Sequence, residues 1–148
     1  MDSPTIALAP AREDDAEALV ALRIAAMRDS LERIGRYDPQ RARTRFLSGF
    51  VPAQTRHIEA SGRRVGFVVV KPGPHAVLLD HLYIHPDSQG LGIGAIVLAR
   101  IIDEARHQGL PLRVGALRDS DANRFYLRHG FKLVAQEEFD NYYRLSVS

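Results

Sequence analysis

The 148-residue sequence has no cysteine and no tryptophan, and only two of its twenty basic residues are lysines. Without cysteine there is no disulfide framework, no thiolate metal site and no cysteine nucleophile, which fits a reducing compartment. Long hydrophobic runs are missing too. The longest, such as Val65 to Val70, fall far short of the ~20 residues that a membrane span needs. The opening MDSPTIALAPAREDD has no basic start followed by an apolar run. No secretory signal is therefore expected, and the expected location is cytoplasmic, without a membrane. No repeat and no low-complexity segment is visible.

What is present is ordinary globular material. A content of 45% hydrophobic and 26% charged residues argues against a disordered chain. The length suits one domain over 1–148, which buries roughly 68–70% of its unfolded surface without staples. The net charge of +2 hides an asymmetry. Residues 1–22 carry −4, residues 23–64 carry +6 with ten arginines, and residues 65–148 balance. A basic stretch attracts phosphates or carboxylates; equally, it reads as solvated helix surface in a chain that prefers arginine.

Periodicity orders the elements. Residues 4–9 read as a strand; Asp14 and Asp15 offer an N-cap, and Leu19, Leu22, Ala26, Leu31 and Ile34 recur at helical spacing up to Gly35. Asp38-Pro39 opens a second helix to about Phe50. Strands at 55–60 and 64–71 flank Ser61-Gly62-Arg63 as a hairpin. Residues 76–84 are almost wholly apolar, which suggests a central strand buried on both faces. A helix from about Gly92 to His107 follows, with Ile93, Val97, Ile101 and Ala105 on one stripe. Then come a strand at 112–117, a short helix at 121–129 capped by Asp121, and strands at 131–139 and 142–147. The order β-α-α-β-β-β-α-β-α-β-β is a mixed α/β domain. A crossover helix should make strands 76–84 and 112–117 parallel neighbours.

The informative segment is Gln89-Gly90-Leu91-Gly92-Ile93-Gly94-Ala95, between the apolar strand and the helix. Three glycines at alternate positions permit positive φ, so that successive N–H groups form an anion nest. The helix adds orphan N–H donors and the positive end of its dipole. Such a turn suits a diphosphate. A P-loop would need Gly-Lys-Ser/Thr, which Gly94-Ala95-Ile96 does not supply. A dinucleotide fingerprint is met formally by Gly90, Gly92 and Ala95, but no repeated βαβ halves and no acid about 20 residues on accompany it.

With these residues the chain resembles the GNAT superfamily of N-acetyltransferases. Their loop Q/R-x-x-G-x-G/A is matched by Gln89, Gly92 and Gly94, after Leu82-Tyr83-Ile84-His85-Pro86. A second motif, an alanine and then FYxxxGF, is matched by Ala122, Phe125-Tyr126 and Gly130-Phe131. The resemblance covers essentially the whole chain and implies acetyl transfer from acetyl-CoA to a primary amine by direct attack in a ternary complex. It implies a splayed central strand pair whose free backbone groups, at Leu82 and Ile84, meet the pantetheine arm. The backbone of Gln89 to Ala95 (Gln89, Gly90, Leu91, Gly92, Ile93, Gly94, Ala95) would hold the diphosphate. Tyr126 takes the family's place for the general acid, a role that a phenol near pKa 10 can fill toward a departing thiolate. Packing beside Phe125 and Phe131 is the bland alternative for it.

Asp80 falls where many relatives carry an acid near the acceptor amine. A carboxylate desolvated in an apolar strand takes up a proton more readily; a structural ion pair is the competing reading. His81 points to the opposite strand face, so only one of the two can meet the acceptor. Val114 stands where some relatives place a catalytic glutamate, which closes that route. Asp119 replaces a common asparagine, and Asn123, one turn before Tyr126, is the expected substitute on the pantetheine arm. No metal is expected: His81 and His85 lie ~13 Å apart on a strand, too far for one ion. The acceptor is expected to be a small-molecule or peptide amine, shaped by the first two helices between Arg28 and Phe50. Two alternatives stay open: a non-catalytic acyl-CoA-binding or regulatory module, and a nucleic-acid-borne amine such as aminoacyl-tRNA, which charge alone supports. A homodimer is left open as well.

Overall fold

The change from period 3.6 to period 2 after Pro52 becomes, in a computed structural model, a change from helices to a sheet. The structure describes residues 5–146, so residue 4 of the expected first strand and residue 147 of the last lie outside it. The elements are β1 (Ile6–Pro10), α1 (Ala16–Arg33), α2 (Pro39–Gly49), β2 (Thr55–Ala60), β3 (Arg63–Lys71), β4 (Val77–Ile84), α3 (Ile93–Gln108), β5 (Leu112–Leu117), α4 (Ala122–Arg128), β6 (Lys132–Gln136) and β7 (Asp140–Leu145). This is an α/β fold with a mixed seven-stranded sheet of order β1-β2-β3-β4-β5-β7-β6. The chain divides into two compact units. One holds residues up to Val69 together with His81–Leu98; the other holds Val70–Asp80 and the chain from Ala99 on.

In the first unit β1, β2 and β3 form an antiparallel meander, registered Ile6↔Ala60 and Thr55↔Val69. Ser61 and Gly62 both adopt positive φ (50° and 85°), so the hairpin loop is two residues long and matches the twist of its strands. Leu19 and Val20 of α1, Phe46 of α2, and Phe67 and Val69 of β3 form the core, with Leu22, Ile24, Phe50 and Tyr83 packed against it. Asp38 caps α2 as expected, accepting the Arg41 N–H at 3.1 Å with Pro39 in the first turn. The expected cap of α1 differs. A 3₁₀ turn over Glu13–Asp15 leads into α1, so Asp15 already has helical dihedrals and makes no cap bond. Its carboxylate instead accepts the Arg12 N–H at 2.8 Å and meets His57 Nε2 at 2.9 Å.

The arginine-rich tract is partly neutralised within the chain. Arg28 pairs with Glu32, Arg43 with Glu17, and Arg64 with Asp15 and Glu59. Exposed pairs of this kind add little stability, but each consumes a charge that a nucleic acid would need.

In the second unit β4 and β5 are parallel neighbours, registered from Val77↔Leu112 to Leu79↔Val114. The paired register ends there, although β4 continues to Ile84 and β5 to Leu117. Antiparallel β7 follows β5, and β6 lies outside β7. The last two strands are displaced from expectation: β6 stops at Gln136 and β7 starts at Asp140. Residues 137–139 (Glu137, Glu138 and Phe139) make the turn, closed by the Glu137 N–H on the Asp140 carbonyl at 2.8 Å. The apolar run of β4 is less buried than its composition suggests: Val77 and Leu79 are covered, Leu78 is exposed, and residues 80–84 are half-buried. Asp121 does not cap α4; its carboxylate takes the Arg124 guanidinium at 3.1 Å. The expected stripe Ile93, Val97, Ile101 and Ala105 of α3 is buried throughout. No helix among the described residues is long and apolar enough to cross a membrane.

Candidate active site

The glycine-rich turn is built step by step from β4. Pro86 cannot continue the ladder and starts a 3₁₀ turn over Pro86–Ser88, with the Asp87 N–H held by His85 Nδ1 at 3.1 Å. The Gln89 side chain then reaches back, donating Nε2–H to the Ile84 carbonyl at 2.9 Å. Gly90 and Gly92 both have φ of +79°, a region that other residues enter only with strain. Gly94 does not share it: it lies inside α3 in helical conformation. Two glycines, not three, therefore supply the positive φ. The first N–H groups of α3, from Ile93 to Ala95, have no carbonyl one turn back to bond. Ile96 is the first to find one, Gly92 O at 3.2 Å. With Leu91 62% exposed, the turn is open to an incoming anion.

Alternation along β4 holds as expected. Asp80 meets Lys71, Oδ2 to Nζ at 3.2 Å, and is about one-third exposed (32%). The apolar surroundings that the sequence suggested for it are therefore replaced by a cation. His81 enters a ring cluster: its centroid lies 5.8 Å from Phe46, 6.1 Å from Phe67 and 5.5 Å from Tyr83. Phe46 of α2 also stacks on Phe50, just past the helix, at 5.6 Å, so His81 faces the end of α2. Leu82 and Ile84 lie on the same strand, half-buried.

On α4, Tyr126 is 5% exposed, with Phe125, Phe131 and Tyr143 rings at 5.3, 5.4 and 6.2 Å. Asn123 has its hydrogen bonds spent within the protein. Its Nδ2 donates to the carbonyls of Leu117 (2.7 Å), Ser120 (2.8 Å) and Arg118 (3.1 Å); its Oδ1 accepts from Tyr143 Oη (2.7 Å) and Asn141 Nδ2 (2.9 Å). An amide offers two donor hydrogens and two lone pairs. Nothing is left for the pantetheine contact that the sequence suggested, and Asn123 instead ties the start of α4 to β5 and β7.

One residue of the first unit escaped the sequence reading. Arg23 projects from α1, its guanidinium carbon 6.0 Å from the Tyr83 ring centroid, with Nε buried and without a hydrogen-bond partner. A signal existed. Arg23 stands four residues after Leu19 and three after Val20, on the apolar face of the helix, where an arginine is out of place.

The chain belongs to the acetyltransferase (GNAT) domain family, whose model matches residues 53–133. Over 57 residues, 37% of this chain, it is 40% identical to the L-methionine sulfoximine/L-methionine sulfone acetyltransferase of Salmonella typhimurium. Over a segment of the same length it is 39% identical to the L-amino acid N-acyltransferase MnaT of Escherichia coli. The matched segment spans about a third (33%) of the length of each of these relatives. The fold is similar to that of the PaiA N-acetyltransferase from Thermoplasma acidophilum, solved in complex with coenzyme A. That match has a TM-score of 0.74 and 16% identity, and covers 96% of this chain and 99% of that one.

Proposed function

We propose that this protein transfers the acetyl group of acetyl-CoA to a primary amine of a small molecule or peptide, by direct attack in a ternary complex. The observation that carries the reading is the latched turn from Gln89 to Ala95, with Gly90 and Gly92 at positive φ ahead of the α3 N–H groups. Family membership and a structural relative solved with coenzyme A support the choice of donor. The diphosphate takes the backbone of Gln89, Gly90, Leu91, Gly92, Ile93, Gly94 and Ala95. The pantetheine arm takes ladder groups of β4 at Leu82 and Ile84, beyond Leu79, where the register with β5 ends. An extended ligand satisfies open ladder groups as an added strand does.

In the proposed reaction the amine nitrogen forms its bond to the thioester carbon, and the carbon–sulfur bond then breaks. The N–H of Ile84 is aimed at the oxygen on which charge develops. Tyr126 supplies a proton to the departing thiolate. The amine gives up its proton to β4, and we assign that role to His81 rather than Asp80. Asp80 is occupied with Lys71, whereas His81 faces α2, one of the helices expected to shape the acceptor site. An imidazole exchanges protons readily near neutral pH.

The test follows thiol release from acetyl-CoA against a panel of amines, beside calorimetric CoA binding. Gly94→Glu introduces a carboxylate into helical backbone at the proposed diphosphate position. It is expected to abolish CoA binding in a protein that still folds by circular dichroism. Tyr126→Phe is expected to keep CoA affinity and lower kcat by about 10²–10⁴-fold. Unchanged CoA affinity in folded Gly94→Glu, or thiol release from no amine, overturns the reading.

A further inference from the structure

Among the arginines of residues 23–64, Arg28, Arg43 and Arg64 find carboxylates within the chain. Among the described residues Arg23 finds none. It emerges from the apolar face of α1, and its buried Nε–H has no acceptor among them. The guanidinium keeps its charge at any accessible pH. A buried donor of that kind is destabilising until a partner completes it. The planar fork of arginine fits a carboxylate with two parallel hydrogen bonds.

The surroundings say what else the partner carries. The guanidinium lies 6.0 Å from the Tyr83 ring, and His81 lies 5.5 Å from that same ring. Phe67 borders both Tyr83 (5.6 Å) and His81 (6.1 Å), and Phe46 and Phe50 extend the wall. Tyr83, His81 and Phe50 are half-buried, so part of this ring surface is open to contact. A cation, an apolar wall and an imidazole thus lie along one face, with a single tyrosine ring between the first and the last.

We propose that Arg23 binds the carboxylate of the acceptor, so that the acetylated amine belongs to a free amino acid with an apolar or aromatic side chain. The proposal rests on the amine-acetylation reading above and names the acceptor class for it. Arg23 is a specificity residue: it touches the substrate away from the reacting atoms, the amine nitrogen and the thioester carbon. Acceptors lacking the carboxylate leave the guanidinium unsatisfied and lose affinity accordingly.

The experiment compares L-phenylalanine, L-phenylalaninamide and phenethylamine as acceptors, and repeats the series with L-leucine and its analogues. Rates of thiol release are corrected for the fraction of free amine. In the wild type, kcat/KM for the acid is expected to exceed that for the amide and the amine by about 10²-fold, with the difference in KM, as loss of a charge-assisted pair predicts. Arg23→Gln is expected to erase that preference by raising KM for the acid, while the amine keeps its rate within about threefold. Arg23→Lys should recover part of the preference, since it restores the charge without the fork. Equal kcat/KM for acid and amine in the wild type overturns the proposal. So does an Arg23→Gln loss shared equally by all three acceptors, which would mark a structural role.

Calorimetric binding of L-phenylalanine and phenethylamine to the CoA-loaded protein reads the same contrast without turnover. No preference for the acid there overturns the proposal too. Absent thiol release with every acceptor, alongside a clear binding preference for the acid, would fail the catalytic reading and leave the carboxylate site standing.

Discussion

Asn123 in one unit and Arg23 in the other are polar side chains on helices, set among aromatic rings, with opposite hydrogen-bonding states. Asn123 meets five partners inside the protein. Arg23 has a buried Nε–H that meets none. A saturated network fixes a frame, because each member holds the others in one geometry. An unsatisfied buried donor costs stability, and in a native structure it calls for a partner, whether a bound water or a ligand. Chemistry-bearing residue types therefore do not mark a site by themselves; what matters is whether the protein has already used them. Across β4 the difference is one of surroundings: Asp80 meets Lys71 and His81 lies against rings.

The largest expected effect tests that contrast on β4. His81→Gln should lower kcat/KM at neutral pH by about 10²–10⁴-fold, the usual contribution of a general base, with recovery at high pH where free amine is abundant. Asp80→Asn should stay within a few fold of wild type. Profiles of kcat/KM against pH for both variants, with one acceptor, decide between them. If Asp80→Asn is the crippled enzyme, the assignment of strand faces reverses.

Next comes stability. Asn123→Ala strands the Leu117 and Ser120 carbonyls and the partners on β7, and should cost about 2–4 kcal/mol in urea unfolding. Arg23→Met, which replaces an incomplete guanidinium by a flexible apolar chain, should cost less than about 1 kcal/mol. Equal losses in the two variants would erase the distinction drawn between them.

The smallest effect concerns a polar cluster whose members are all paired. The Asp15 carboxyl is held below its ordinary value, chiefly by the hydrogen bond to His57 and then by the Arg12 N–H, with Arg64 adding attraction. A depressed carboxyl stabilises the fold above its unfolded pKa, near 3.8, and loses that contribution as pH falls through the lower folded value. Thermal melts from pH 5 to pH 2 should therefore show Asp15→Asn less stable than wild type at the upper end, with the gap closing toward the lower. A constant gap would mean that the carboxylate charge is not what matters.

Among the described residues, the order of the four α-helices and seven strands was legible in the sequence, because apolar spacing, proline and glycine punctuate it at each change of period. Boundaries moved where a local hydrogen bond outcompeted the pattern, as at Glu137 with Asp140 and in the 3₁₀ turn before α1. The glycine-rich turn proposed for the cofactor was legible as a turn, since glycine spacing reports backbone, although Gly94 proved helical. Side-chain roles were less so. Asn123 lies one turn from Tyr126 in any helix, but its partners come from β5 and β7, which no local spacing reveals. Arg23 was averaged into a basic tract when its place on the apolar stripe was the informative fact.

The bond from Gln89 to the Ile84 carbonyl has a consequence for the time course of turnover. A glycine-rich loop left to itself samples many shapes, and each visiting diphosphate would have to wait for the right one. Here the loop is latched to the end of the strand in advance, so little ordering entropy remains to be lost on binding. Under the proposed function, spent and fresh cofactor would exchange through a seat that keeps its shape between occupants, and encounter would set the pace of reloading.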